Sequence, residues 1–509
     1  MRVYSVEQIR EYDRILIEDF NLPSHSLMEV AGHKIFEQIK RRFPGIQSVF
    51  ILLGKGNNGG DGVVVARLLL LSGVNVTLLL TSDIESSSKD FIKNFEILSQ
   101  IARDVKNCKI LKYGIDDIDF ITDEIIKSDL IIDALLGTGI KSELKSPYKE
   151  IIHYINSLGV QNKVVAIDIP SGLNGDSGSP MPDAIKSALT ITIGGGKTGL
   201  FSYPAPLYTQ EVEVVDIGLP LIKDIKPVYE ISDSLMYRGR VLRSDINFHK
   251  GSGGHVGVVA GSTDRPGASF LSVLGALSIG AGLVTLISER DVINRLPILY
   301  PEAMVREVDY QKSDDEYFDK LFSGIDTLVI GPGLSRKDGA VLFTKRLITY
   351  WKKKMILDAE ALNIILDIKF QSDKVVITPH PTELSRIIGI SKDEIQRDRV
   401  GYAVKCASEH NCIVVLKGAR SIIAHPNGDL TINMSGNPFM ASGGMGDLLS
   451  GIIGGLLHQT DSVYDAARIG AYIHGLAADI AISDNRSPLL SRDVASYIKK
   501  AVQIAKIYG

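Results

Sequence analysis

The sequence predicts two unlike α/β domains in tandem, the first of them a doubly wound parallel sheet. Three observations predict it. The 509 residues of the chain suffice for two or three domains, each with a sizeable core. Short apolar runs alternate with segments of helical period, the mark of buried parallel strands joined by crossover helices. Past residue 235 the alternation restarts with a different spacing, and neither half repeats the other.

In the first half the strand-like runs are 49–53, 74–80, 130–132, 164–167 and 189–193, with helical segments at 62–71 and 89–101. EVEVVDIGLP alternates polar and apolar and ends at Pro220, which reads as an edge strand. The first domain is therefore 1–220, and 221–235, without a motif, is the linker. The second domain, 236–509, has strand runs at 255–260, 283–287, 327–330, 355–357, 375–377, 413–416 and 421–424. It closes with helices at 446–457, 463–482 and 491–504.

Composition excludes several classes. Apolar residues at 45% and charged residues at 23% exclude disorder or a coiled coil as the main state. A formal charge of −4 without a basic block argues against nucleic acid as partner. Cys108, Cys406 and Cys412 form no C-x-x-C pair, so a disulfide framework or a zinc site is not expected. The N-terminal MRVYSVEQIREYDRILIEDF reads as an amphipathic helix carrying charge throughout, not as a signal peptide, and a cytoplasmic location is expected. Residues 267–288 are charge-free and long enough for a bilayer, which takes about 20 residues. Four glycines and four serines among them, and no flanking anchors, favour a buried helix (268–280) running into a buried strand (283–287), and no membrane.

The first chemical constellation follows strand 49–53. Gly54-Lys-Gly-Asn-Asn-Gly-Gly-Asp61 contains G-x-G-x-x-G (Gly54, Gly56, Gly59) before a helix, with Asp83 after the next strand, a Rossmann-like spacing. Glycines allow phosphate to approach the backbone, but such a turn also serves structure alone. Asn57, Asn58, Gly59, Gly60 and Asp61 suggest recognition of polar groups or of a cation. Two further strand ends carry Asp133, before Gly137-Thr138-Gly139, and Asp168, before Ser171. Ligands in open α/β sheets bind beyond the carboxyl ends of strands, so Asn58, Asp133 and Asp168 are expected on one crevice.

LMEVAGH (27–33), GNNGGDG (56–62), DALLGTG (133–139) and DIPSGLNGD (168–176) resemble the N-terminal domain of NAD(P)H-hydrate epimerase over about residues 1–220; GGGKTGL (194–200) and VVDIGLP (214–220) fit its closing segment. GGGKTG is not a Walker A loop, because Ile191 stands where the first glycine belongs. The resemblance implies that Asn57–Asp61, Gly137, Thr138, Gly139 and Asp168 hold the substrate. It also implies potassium, for which Asn58, Asp133 and Ser171 offer hard oxygen ligands. Inversion at C6 of the hydrate needs a proton delivered and recovered. Asp168, desolvated in the crevice, is expected to have the raised pKa this requires. Asp61, at a helix N-terminus, is expected to stay ionised.

The second constellation is Ser442-Gly-Gly-Met-Gly-Asp447 before an apolar helix. A glycine-rich turn opening a helix is an anion hole, and a carboxylate beside it has the task of a base toward an attacking hydroxyl. This resembles the ribokinase-like superfamily. VVAGSTDRPGA (258–268), GPGLS (331–335), DAEALN (358–363), TPHPTE (378–383), LKGARS (416–421) and GNPFMASGGMGDLLSG (436–451) narrow the resemblance to ADP-dependent NAD(P)H-hydrate dehydratase over 236–509. Glu360 stands where the family often has Asp, and Ser335 where Gly is common. The resemblance implies Asp447 as base and a substrate side of Ala268, Gly333, His380, Pro381, Thr382 and Glu383. The nucleotide falls to Lys417, Gly418, Ala419, Arg420 and Ser421 with Gly443, Gly444, Met445 and Gly446. His474, within AYIHGLAADIA, reads as a packed helix residue.

Together the halves resemble a fused repair enzyme for NADHX and NADPHX. It would epimerise the R and S hydrates and dehydrate the S form with ADP, and with magnesium, giving AMP and phosphate. Hydroxide leaves poorly; phosphorylating the C6 hydroxyl creates a leaving group that the ring nitrogen expels. That is why a kinase-like domain suits a dehydratase. A homo-oligomer is expected. Two rivals stand: a small-molecule kinase, which would release a stable phosphoester, and a nucleotide-binding protein with a degenerate first domain that acts as a sensor or interaction module.

Overall fold

Seven strands of the first half line up as one parallel sheet in the computed structural model, which describes residues 1–140, 143–202, 204–218, 225–241, 251, 253–365, 368–370 and 374–507. The chain divides into one unit of Arg2–Val228 and another of Tyr229–Gly509 with Met1. The expected domain end at Pro220 and linker positions 221–224 lie outside the described residues.

In the first unit the strands are β1 (Ser48–Leu53), β2 (Asn75–Leu80), β3 (Cys108–Lys112), β4 (Leu130–Ala134), β5 (Val164–Ile167), β6 (Ser187–Ile193) and β7 (Thr209–Val215). Their order is β3-β2-β1-β4-β5-β6-β7, every neighbour parallel. The order reverses between β1 and β4, the switch point beside which α/β sheets open a crevice. β1 shows why the inner strands are apolar throughout. Val49, Ile51 and Leu53 pack in one core with α2 (Ser24–Arg42), α3 (Asn57–Leu71) and α4 (Lys89–Asp104). Phe50 and Leu52 pack in the opposite core with α5 (Ile118–Lys127) and α6 (Tyr148–Ser157). The chain does not open as one amphipathic helix. Arg2–Tyr4 pairs as a short strand with Gly196–Lys197, and α1 (Val6–Arg14) begins only after Ser5, which forms a capping box with Gln8.

In the second unit the strands are β8 (Tyr229–Ile231), β9 (His255–Val259), β10 (Leu283–Ser288), β11 (Met304–Glu307), β12 (Thr327–Ile330), β13 (Lys354–Leu357), β14 (Val375–Ile377), β15 (Ile413–Leu416), β16 (Ile422–Ala424) and β17 (Leu430–Ile432). Within this unit they run β11-β10-β9-β12-β13-β14-β15-β16-β17-β8. The sheet is parallel as far as β15; β16 is antiparallel to both its neighbours. Helix α7 (Pro266–Ser278) and strand β10 account for the charge-free stretch, as expected. Among the described residues no helix is long and apolar enough to cross a membrane. After α8 (Pro381–Ile388) and α9 (Arg399–His410), the helices α10 (Met445–Leu456), α11 (Val463–Ser483) and α12 (Ser491–Ala505) join α7 over one core. Helices α7 and α10 touch at backbone distance. A Cβ on Gly451 would stand 1.9 Å from the Ser272 carbonyl oxygen, so glycine is required there.

Two candidate active sites

Residues 57–61, expected as a loop, are already the first turn and a half of α3, which starts at Asn57 after Gly56. Two glycines of the fingerprint serve the chain itself. A Cβ on Gly54 would lie 1.7 Å from the Leu135 carbonyl oxygen, and one on Gly59 would lie 1.8 Å from that of Gly54. The phosphate reading of these two glycines is therefore replaced by close packing of the turn on the end of β4.

Asp133, at the end of β4, is wholly buried. It accepts the Ser171 amide (2.8 Å), the Ser171 hydroxyl (2.6 Å) and the Leu135 amide (3.2 Å). Burial pushes its pKa up to about 6 despite these donors. Asp133 and Ser171 thus meet as expected, underneath the crevice. Asn58 is also buried, and both its amide atoms lack a hydrogen-bond partner in the structure. A buried amide without partners is costly, and its oxygen is free to face a cation. Among the described residues no group of three or more His, Cys, Asp or Glu side chains forms a metal cluster. The donor set of amide oxygen, hydroxyl and one carboxylate fits a hard cation.

Above this layer lies a cavity of about 690 Å³ lined by Asn57, Asn58, Asp61, Gly137, Thr138, Gly139 and Asp168; Gly59 and Gly60 are packed away from it. Two lining residues escaped the sequence reading. Lys197 is 1% exposed, and its ammonium donates to Asp168 Oδ1 (2.5 Å) and the Ile193 carbonyl (2.6 Å). It is the one charge within ALTITIGGGKTGLF, and that isolation was the available signal. Asp13, on α1, had no such signal among the alternating charges of its helix.

Asp61 does not have the ionised setting expected of it. Burial, then the charges of Asp168 and Asp13, hold the Asp61 carboxyl well above its usual range. Asp168, at a left-handed backbone position (φ 67°), is instead in a salt bridge with Lys197. Asp61 is the carboxyl inclined to hold a proton, and Asp168 the one committed to a cation.

In the second unit Gly444 (φ 86°) opens α10, leaving Asp447 in its first turn. First-turn amides lack intrahelical acceptors and so face outward as donors. Asp447 is half-buried. Burial, reinforced by the charge of Asp358, pushes its pKa up to about 6, with Lys417 opposing. Beneath the turn lies a network that the sequence reading saw only in part. Asp358, 1% exposed, accepts Lys417 Nζ (2.7 Å) and the Ser450 hydroxyl (2.5 Å). Glu383 stands 3.8 Å from the same ammonium. Burial works against the Lys417 charge, but Asp358, Glu383 and Asp447 outweigh it and its pKa is raised. A Cβ on Gly446 would come within 3.3 Å of Lys417 Nζ, so the ammonium lies directly against the glycine turn.

Gly333 (φ 62°) brings the loop after β12 against α7; a Cβ there would meet the Arg265 carbonyl and Ala268 Cβ at 2.7 and 2.8 Å. Ala268 and Gly333 are therefore neighbours. His380 is chiefly a helix cap. Its Nδ1 accepts the amides of Thr382 (3.1 Å) and Glu383 (3.3 Å), and Glu383 accepts the His380 amide (2.8 Å). Burial and nearby cations lower its pKa, which suits a neutral acceptor. Arg399 braces the 417–419 turn through the carbonyls of Ala419 (2.5 Å) and Lys417 (3.3 Å). Glu360 is held by Arg265 (2.8 Å) and Arg336 (2.7 Å). His474 is buried, its pKa lowered to about 4, a packed residue as read.

A cation-paired acidic crevice and a glycine-turn anion hole with an adjacent carboxylate define a two-site α/β enzyme of proton and phosphoryl transfer. Comparison with known proteins narrows the class. A family model described as YjeF-related protein N-terminus matches residues 24–199, and one described as NAD(P)H-hydrate dehydratase matches 256–500. The bifunctional NAD(P)H-hydrate repair enzyme of Coxiella burnetii is 35% identical over 98% of this chain and 99% of its own. The Escherichia coli enzyme of the same name is 33% identical over 98% and 94%. A solved ADP/ATP-dependent NAD(P)H-hydrate dehydratase from Bacillus subtilis is 30% identical, covering 54% of this chain and 99% of that one, with a TM-score of 0.49. The chain belongs to the family of bifunctional NAD(P)H-hydrate repair enzymes.

Proposed function

We propose that the first unit interconverts the R and S hydrates of NADH and NADPH, and that the second unit dehydrates the S form with ADP, giving AMP and phosphate. The enzyme is an epimerase and a dehydratase in one chain; the division of labour between units and residues is our reading. The observation that carries it is Asp447 beside an open helix N-terminus that rests on the Lys417–Asp358–Ser450 network.

In the dehydratase, Asp447 takes the proton of the C6 hydroxyl as its oxygen attacks the terminal phosphorus of ADP. The amides of Gly443–Gly446 and the Lys417 ammonium receive the phosphoryl charge, and AMP departs. The ring nitrogen lone pair then expels phosphate, and loss of the C5 proton restores the dihydropyridine. Lys417, Gly418, Ala419, Arg420 and Ser421 hold the nucleotide; Ala268, Gly333 and the His380–Glu383 corner line the dinucleotide side. Magnesium would supply charge neutralisation on ADP. In the epimerase, Asp61 gives its proton to the C6 hydroxyl, water leaves, and the cationic ring faces Asp168, which Lys197 keeps in place. Potassium, held by Asn58, Asp133 and Ser171, would supply fixed positive charge under the crevice. A cytoplasmic homo-oligomer belongs to the same reading.

The test uses the full chain and chromatographically separated epimers of hydrated NADH. With ADP, NADH absorbance should return at once from S and only at the epimerisation rate from R. Without ADP the epimers should equilibrate and no NADH should return. A phosphorylated hydrate that accumulates would support the kinase reading instead.

A further inference from the structure

We infer that Asp13 is a second proton-transfer group of the epimerase cavity, serving the ring face opposite the one served by Asp61. The inference rests on the assignment of epimerisation to the first unit. Asp13 reaches the 690 Å³ cavity from α1 and Asp61 from the first turns of α3, two separate elements. Among the described residues neither carboxyl has a hydrogen-bond or salt-bridge partner, whereas Asp168 in the same cavity is committed to Lys197. Asn58 points independently to a ligand there. It is 8% exposed, lines the same cavity and leaves both amide atoms unpartnered, and buried polar groups are otherwise satisfied.

The chemistry of inversion calls for such a pair. Loss and return of water at one carbon changes its configuration only if water leaves from one face and adds to the other. A proton is then given on the first face and taken on the second. Asp61, protonated, gives its proton to the C6 hydroxyl. The C6–O bond breaks, its electron pair leaves on water, and the N1 lone pair forms the C6=N1 iminium. Water adds from the other face through oxygen, the iminium pair returns to nitrogen, and the proton released goes to Asp13. Asp61 ends ionised and Asp13 protonated, which is the state that runs the reverse reaction. The environments suit alternation. Asp13 keeps its carboxyl open to the cavity, yet the protein around it displaces enough water to push its pKa up to about 6. Its accessible side allows exchange with solvent between turnovers.

The test is uptake of heavy oxygen from labelled water by each purified epimer, without ADP, on the full chain. Wild type should label both epimers and invert them. Asp13→Asn should slow inversion by at least about 10²-fold, the usual scale for losing a general acid or base. It should still label one epimer with retention, because Asp61 expels and readmits water on its own face. Asp61→Asn should label only the other epimer. Asp13→Glu should restore part of the inversion. That residual one-sided labelling requires a folded cavity, so it separates a lost proton-transfer group from a lost fold. Inversion at the wild-type rate in Asp13→Asn, labelling of the same epimer in both variants, or labelling of neither would overturn the inference. Wild type that labels and inverts neither epimer would instead overturn the assignment of epimerisation to this unit.

Discussion

Asp447→Asn isolates the chemistry of the second unit. Burial and Asp358 raise the Asp447 pKa to about 6. On a simple titration roughly nine in ten carboxylates are then ionised near pH 7, and roughly one in ten near pH 5. A base acts in its ionised form, so dehydration of the S hydrate should fall as pH drops through 6, approaching tenfold per unit below it. The amide of Asn matches the carboxyl in shape and cannot take the proton. The loss should be about 10²–10⁴-fold, equivalent to about 2.7–5.5 kcal/mol of transition-state stabilisation. The turn is untouched, because Gly444 and the Lys417 network set it. ADP affinity by calorimetry should therefore change little, and single-turnover formation of NADH should report the chemical step. A loss below about tenfold, or a wild-type rate that is flat between about pH 5 and pH 7, would refute the role of Asp447 as base.

Asp358→Asn should destabilise the second unit by about 3 kcal/mol, because it removes the closest carboxylate from the Lys417 ammonium and leaves only the weaker support of Glu383 and Asp447; thermal unfolding of wild type and variant measures it. Gly451→Ala should cost about 3 kcal/mol, the upper end of the usual overpacking range, since its Cβ meets the Ser272 carbonyl, a backbone atom that cannot swing aside; the midpoint in denaturant reads this. Potassium should raise the melting temperature of the first unit by mass action, and Asn58→Leu should remove that rise while sodium controls stay flat.

Legibility in the sequence followed the range of the interactions. Strands β1, β4 and β5 were readable because both faces are covered, which leaves continuous apolar runs. β3 was not, because it is an edge strand whose Ile110 is exposed and whose lysines interrupt the run. Asp447 was readable since its glycine turn is contiguous with it. Asp358 and Lys417 sit 59 positions apart, joined through the parallel order β13-β14-β15. Lys197 reaches Asp168 only because β5 and β6 are neighbours.

Asp61 shows how a correct local rule loses to a longer-range term. A helix N-terminus favours an ionised carboxylate by about 0.3–1 kcal/mol, up to about 2 in partly buried settings. Withdrawing a carboxylate from water costs several kcal/mol even after relaxation. Asp168, Asp13 and Asp90 bear on the same site, and the Lys197 ammonium that opposes them is already bonded to Asp168. The sum favours the protonated acid, and no reading confined to GNNGGDG contains it. Asp13 comes from α1, Asp168 from the end of β5 and Lys197 from beyond β6. If the balance holds, Lys197→Met should not free Asp61 to ionise; it should leave Asp168 as one more uncompensated charge and raise the Asp61 pKa further. Carboxyl titration by isotope-edited infrared spectroscopy reads this directly. A fall in the Asp61 pKa in that variant would mean that the ammonium was not countering the repulsion at all.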